Sequence, residues 1–197
     1  GDDAAEALVG RAELALARAL SRCCSTPVMF TSELNTEIDR RRRMDAGLRK
    51  ALASGTLGVV FQPQVRLADG EIVGVEALVR WHDPELGTVS PADFIPLAEE
   101  SGLIVPLGAF VLVEACREVA TWEWTGKLAV NVSPAQVQLT DVATTVEAAL
   151  AISGLPPKRL EIEVTESLLV DPTGRIDRIV ETLRQRGIGV AIDDFGS

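Results

Sequence analysis

Three stretches decide how this chain is read: KLAVNVS at residues 127–133, RLEIEVTES at 159–167 and GIGVAIDDFGS at 187–197. Each is a short run rich in Val, Ile, Leu and Ala, bounded by helical or turn sequence, and each predicts a strand. Nearly continuous apolar runs of this kind are expected where both faces of a parallel sheet are covered by helices. Their polar residues recur at a regular interval. Asn131 to Glu163 is 32 residues and Glu163 to Asp193 is 30, about one strand–helix unit each. The sequence between them predicts a helix near residues 141–152 and another opened by Asp171-Pro172 and closed by Gly187. The spacing predicts successive strands of a βα barrel, whose C-terminal strand ends carry the active site.

Upstream, LGVVFQPQVRL (57–67) and EIVGVEALVRW (71–81) are two further β-rich runs joined by ADG, with Asp69-Gly70 as a hairpin signal. The first two strands are therefore expected to be antiparallel. The 55 residues from Glu76 to Asn131 make room for two helices. One is announced by Ser90-Pro91-Ala92-Asp93, a cap followed by proline at the first helical position, and the other covers about 107–122. The N-terminal DDAAEALVGRAELALARAL is helical in pattern, and TPVMFT (26–31) is β-like. A long helix then runs over 32–54 from a Ser32 cap. Its run Arg40 to Arg43, offset by Glu33, Glu37, Asp39 and Asp45, reads as the solvated face of a linker helix.

Composition narrows the classes. With 197 residues, 47% hydrophobic and 24% charged, the chain is neither disordered nor a disulfide-stapled miniprotein. No apolar run approaches the ~18 residues that span a bilayer, and no signal pattern precedes the first helix. A formal charge of −10 argues against binding nucleic-acid polymers through counterion release. Cys23, Cys24 and Cys116 lack CxxC spacing, which favours reduced thiols in the cytoplasm over zinc ligation.

Each strand is expected to end in an oxygen-bearing residue: Glu76, Asn131, Glu163, then Asp193 and Asp194. On neighbouring parallel strands these groups converge, and crowded carboxylates repel one another unless a cation lies between them. A ligand set of carboxylate and amide oxygens, without His or Cys, selects Mg2+ or Mn2+. Tandem aspartates suit two ions and attack on a phosphate ester. An isolated Asp or Glu at a strand end is often only a cap for the next helix. A whole set at a repeating interval is not explained that way. The residues by themselves reach a metal-binding βα barrel and no substrate.

FQPQV, EALVRW, GTVSPADFIPLAEESGLI, NVS, EVTES and DDFG resemble, in order and spacing, the EAL-type cyclic-di-GMP phosphodiesterases, over residues 57–197. The resemblance implies metal-dependent hydrolysis of cyclic-di-GMP to linear pGpG in bacterial second-messenger signalling. It implies that Glu76, Asn131, Glu163 and Asp193 hold a first Mg2+ or Mn2+, with Asp194 contributing to a second. It gives Glu166 the ordering of an active-site loop, Arg80 a substrate phosphate and Gln62 a substrate-side contact. Glu76, Glu166 and Asp194 are thus the catalytic candidates. One departure is Asp83, where the family usually has histidine; the only histidine, His82, is expected to be a surface loop residue.

The fold implied is α/β, a (β/α)8 TIM-like barrel of the EAL type cut after about five strands. From residue 55 only 143 residues remain, against about 250 for a whole barrel. The family's general base is expected beyond Ser197, so the chain alone is expected to be inactive. AEALVGRAELALARAL followed by PVMF resembles the last helix and strand of a GGDEF diguanylate cyclase domain. Ala17, Leu20, Cys23 and Cys24 stand where that family often has a tyrosine, a lysine and a glycine–arginine pair, and the absence of the phosphate-facing lysine and arginine suggests a degenerate cyclase half. The expected organisation is a GGDEF-like remnant at 1–31, a linker helix at 32–54 and the EAL region at 55–197. The partners expected are cyclic-di-GMP, a second copy through the EAL domain, and upstream GGDEF and sensor domains. The expected location is cytoplasmic, with membrane anchoring upstream left open. Two other readings stand beside this one: a non-catalytic cyclic-di-GMP receptor, and a regulatory partner that docks through its helices and needs no metal.

Overall fold

The computed structural model describes residues 29–165 and 174–193, seven helical positions between Ala5 and Ala19, and only the backbone of residues 32–34 and 193. Cys23, Cys24, Glu166, Asp171-Pro172 and Asp194 lie outside the described residues, as does the side chain of the expected Ser32 cap. The chain divides into two compact units, Gly1–Gly47 and Leu48–Ser197. In the first, the Arg11 guanidinium lies 5.5 Å from the centre of the Phe30 ring. Met29 to Thr31 form no strand, and the rest of TPVMFT is outside the described residues. Helix α1 spans Ser32–Ser54 as expected, with Arg40, Arg42 and Arg43 exposed.

The second unit opens with the hairpin. Strands β1 (Gly58–Val65) and β2 (Ile72–Asp83) pair antiparallel, from Gly58 opposite Arg80 to Val65 opposite Ile72. The turn is wider than a two-residue Asp-Gly loop. Asp69 accepts the Glu71 amide at 3.1 Å, Gly70 takes φ 73°, and Arg66 reaches Asp69 and Glu71 at 2.8 Å each. An Asx turn followed by a left-handed glycine lengthens the connection. Strand β2 then runs beyond the sheet and pairs with a short β3 (Gly87–Val89), an element the sequence reading did not foresee. His82 therefore lies on a strand and not in a loop. It is exposed, with Nδ1 3.2 Å from the Thr88 hydroxyl.

Helices α2 (Pro91–Ser101) and α3 (Ile104–Ala120) follow. The expected cap is present: the Ser90 hydroxyl accepts the Ala92 amide at 3.3 Å, with Pro91 at the first position. Buried Trp81 meets Phe94 of α2 edge-on, 5.5 Å between centres and 87° between planes. The chain continues through β4 (Lys127–Val132), α4 (Pro134–Leu139), α5 (Val142–Ser153), β5 (Leu160–Thr165), α6 (Arg175–Gln185) and β6 (Gly189–Asp193). Helix α4 was not expected, yet Ser133 and Gln136 form a reciprocal capping box. Helix α6 starts at Arg175, after Gly174 in the left-handed region at φ 62°; the expected opening at Asp171-Pro172 lies outside the described residues. Gly187 at φ 79° closes it, as expected.

These strands form one six-stranded sheet in the order β1-β2-β4-β5-β6, with β3 on β2. The pairs β2–β4, β4–β5 and β5–β6 are parallel, and β1 and β3 each pair antiparallel with β2, giving an α/β unit with a mixed sheet. The helices cover one face. Val75, Ala77, Leu128, Val130, Leu160 and Ile162 sit in a single core with Leu112, Cys116 and Val119 of α3 and Val146 of α5. The other face departs from the expectation of strands buried and apolar on both sides. It presents Gln62, Gln64, Glu76, Lys127, Asn131, Glu161, Glu163 and Thr165, read from the pairing registers. In β5 the exposure alternates strictly, apolar residues buried and polar ones half-buried.

Candidate functional site

The polar face is a surface of alternate residues, so position along each strand decides which of them meet. Asn131 lies opposite Glu163 across the β4–β5 ladder. Glu76, however, lies opposite Ala129, one rung below Asn131, and Asp193 lies opposite Thr165, one rung above Glu163. Crossing the sheet from β2 to β6, the candidate ligands climb two residues on the way to Asn131 and two more on the way to Asp193. A tilted, staggered set of strands produces this climb, and it places the ligands on a diagonal. The expectation that each lies at a strand end is corrected for Glu76. It falls in the middle of β2, because that strand extends to pair with β3.

Across the first step of the diagonal, the Asn131 amide donates to Glu76 Oε1 at 2.6 Å. Glu163 receives a bond from the opposite side of the sheet, Gln64 Nε2 to Glu163 Oε1 at 3.3 Å. Gln64 is on β1 and Glu163 on β5, three strand spacings away by the order of the sheet. On a flat sheet that is about 14 Å. The contact shows that the polar face is strongly concave and gathers β1, β2, β4 and β5 around one hollow. Two glycines make room in it. A Cβ on Gly74 would collide with the Gln64 carboxamide, and one on Gly189 would lie 2.8 Å from Glu161 Oε2. Glu161, one rung below Glu163, pairs with Lys127 at 2.6 Å, two rungs below Asn131.

Gln62 lies opposite Glu76 on the same face and is exposed. Arg80 is exposed as well, its guanidinium donating to the Val79 carbonyl at 2.9 Å. Arg80, Asn131 and Thr165 help line a cavity of about 400 Å³ that reaches between β2, β4 and helices α2, α3 and α4. Glu99 and the buried Gln136 are on its wall, with Gln136 packed over Gly108 of α3.

Among the described residues no three His, Cys, Asp or Glu side chains are close enough to hold an ion by themselves. What is present fits a hard divalent ion in kind, since two carboxylates and a carboxamide contribute only oxygen to it. The Asp193 side chain, Asp194 and Glu166 fall outside the described residues, so the structure brings together Glu76, Asn131 and Glu163 alone. The sequence reading missed Gln64 and the Lys127–Glu161 pair. The period-two alternation that puts Gln62 on this face puts Gln64 there too, and that signal was available. Behind the sheet, burial pushes the Cys116 thiol up to about 12, with the Ser153 hydroxyl pulling more weakly the other way. That cysteine serves as a small core residue.

Residues 45–197 match the family model described as the EAL domain. The chain is 42% identical over its whole length to protein y4lL of Sinorhizobium fredii, of which it spans 24%. It is 38% identical over 85% of its length to the bifunctional diguanylate cyclase/cyclic di-GMP phosphodiesterase MucR of Pseudomonas aeruginosa, of which it spans 25%. The chain thus spans about a quarter of these relatives. The solved PaMucR phosphodiesterase in complex with c-di-GMP superposes on 79% of this chain and 64% of that one, at 39% identity and a TM-score of 0.74. No described helix is long and apolar enough to cross a membrane. Sequence, sheet order and superposition agree, and the chain belongs to the EAL domain family.

Proposed function

We propose that this chain belongs to a phosphodiesterase that hydrolyses one ester bond of cyclic-di-GMP to give linear pGpG, dependent on Mg2+ or Mn2+, in bacterial second-messenger signalling. The observation that carries the reading is the contact of Asn131 with Glu76, beside Glu163 on the next strand, at the floor of a concave polar face. Family membership supports it, and so do the bifunctional cyclase/phosphodiesterase character of the relative MucR and the ligand in the PaMucR complex. In this reading Glu76, Asn131, Glu163 and Asp193 hold one ion and Asp194 reaches a second. Such ions, when bound, supply charge neutralisation at the phosphate and a polarised nucleophile. The chain's own residues orient the substrate. Arg80 turns its guanidinium fork from the Val79 carbonyl to a phosphate, Gln62 contacts the ligand from the β1 side, and Glu166 orders an active-site loop. The concave sheet is then the first part of an eight-stranded βα barrel. Residues 1–31 are read as the tail of a GGDEF-like domain and 32–54 as the linker.

The test is hydrolysis of cyclic-di-GMP by the full-length protein with Mn2+, with pGpG read by chromatography. Glu76→Ala and Asn131→Ala are each expected to lower turnover at least a hundredfold while leaving the far-ultraviolet circular dichroism unchanged. Full turnover in the Asn131 variant removes that residue from the ion's ligands. Tight binding of cyclic-di-GMP without product, by the unsubstituted protein, would make it a receptor.

A further inference from the structure

Among the described residues, one polar contact in the hollow that the proposed reaction does not use reaches across four strands of the sheet. Gln64 crosses from β1 to Glu163 on β5, over two intervening strands. On those strands the same face carries Gly74 and Glu76 on β2, and Lys127, Ala129 and Asn131 on β4. Gly74 is its direct partner on β2, and Ala129, fully buried, stands on β4. A Cβ on Gly74 would occupy the place of the Gln64 carboxamide oxygen and would lie 3.4 Å from the Lys127 carbonyl. The glutamine is thereby cradled with its N–H aimed at one carboxylate oxygen of Glu163.

We propose that Gln64 is a positioning residue for Glu163, and that Gly74 is glycine so that Gln64 can take this role. The inference rests on the reading of Glu163 as a ligand of a divalent ion. A carboxylate on a strand has free rotation about two bonds, and an ion gains affinity when one orientation is already selected. A hydrogen bond to one oxygen favours one orientation of the carboxylate. Outer partners of this kind change metal affinity by 10- to 100-fold in other sites. Gln64 also ties the first strand of the hollow to the fourth.

The experiment is Mn2+ binding to the full-length protein without substrate, followed by electron paramagnetic resonance of the free ion. Gln64→Met keeps the length of the side chain and removes the donor; the expected result is an affinity weakened roughly tenfold. Gly74→Ala alters neither partner and is expected to weaken binding by a similar factor, by displacing the carboxamide. The double variant is expected to be no weaker than the worse single one, because both remove the same contact. Glu163→Gln is the control for the underlying reading. If it leaves Mn2+ affinity unchanged, Glu163 is not a ligand and the metal reading itself falls. If Glu163→Gln weakens binding while Gln64→Met and Gly74→Ala both bind as the unsubstituted protein does, the metal reading stands and the positioning role is overturned. Fully additive losses in the double variant would likewise overturn the link between Gly74 and Gln64.

Discussion

The two faces of the sheet are made by the same strands and differ in what their side chains meet. Ile162 and Glu163 are neighbours in sequence, yet Ile162 is 1% exposed against the helices while Glu163 looks into the hollow. On the helix side each contact is apolar and many-partnered, so stability is spread over the whole layer. On the concave side each contact is polar and has a named partner, as with Asn131–Glu76, Gln64–Glu163 and Lys127–Glu161. The difference teaches where function resides in such a unit. One face holds the strands in place, and the other spends that rigidity on orienting a few oxygens.

Several substitutions break or sharpen this contrast. The largest effect is expected at Cys116, on the helix side. With its thiol pushed from 9.0 to about 12, the folded protein at pH 8 holds on the order of a thousandfold less thiolate there than the unfolded chain. Alkylation by iodoacetamide is therefore expected to be slow until denaturant is added, and equal rates would mean that α3 opens to solvent. Because the folded value lies above the unfolded one, the stability owed to this thiol is whole below pH 9 and declines as pH rises from 9 toward 12. Next comes the consecutive pair. Ile162→Ala is expected to cost about 2–5 kcal/mol in a urea titration, whereas Glu163→Gln is expected to cost less than about 1 kcal/mol. Comparable costs would erase the distinction between the faces. Arg80→Lys keeps the charge and loses the fork, and it is expected to weaken cyclic-di-GMP binding by about 1–3 kcal/mol. Unchanged affinity in calorimetry would leave Arg80 with its bond to the Val79 carbonyl alone. The smallest effect is expected for Lys127→Met, at most about 1 kcal/mol, since the Lys127 side chain is 53% exposed despite its short bond to Glu161.

Much of this was legible in the sequence, and the exceptions share a cause. Strands, capped helices and the antiparallel start could be read because they depend on local pattern, as with Ser90-Pro91 or the closing Gly187. Of the residues that the resemblance to the EAL family named, Gln62, Glu76, Asn131 and Glu163 lie on the concave face. The register could not be read. Alternation along KLAVNV puts Lys127, Ala129 and Asn131 on one face, but only the pairing shows that Ala129 stands opposite Glu76 and Asn131 opposite Glu163. Gln64 was passed over because its partner is 99 residues away, across a curvature that no local window contains. Strand β3 escaped notice because three residues carry no period. Helix α4 did carry a signal, the Ser133–Gln136 box, that went unread.

The diagonal of ligands sets different tolerances for changes in chain length. One residue inserted into β5 between Leu160 and Glu163 would turn Glu163 toward the helices and Ile162 toward the hollow, so the core and the site would be lost together. A pair of inserted residues restores the faces but moves Glu163 a full rung, off its place opposite Asn131 and beyond its partner Gln64. The strands that bear the diagonal are therefore fixed in length, parity aside. A descendant of this chain can vary freely in length only where the rungs are not counted, as in the wide turn around Asp69, and homologous chains are expected to concentrate their insertions there.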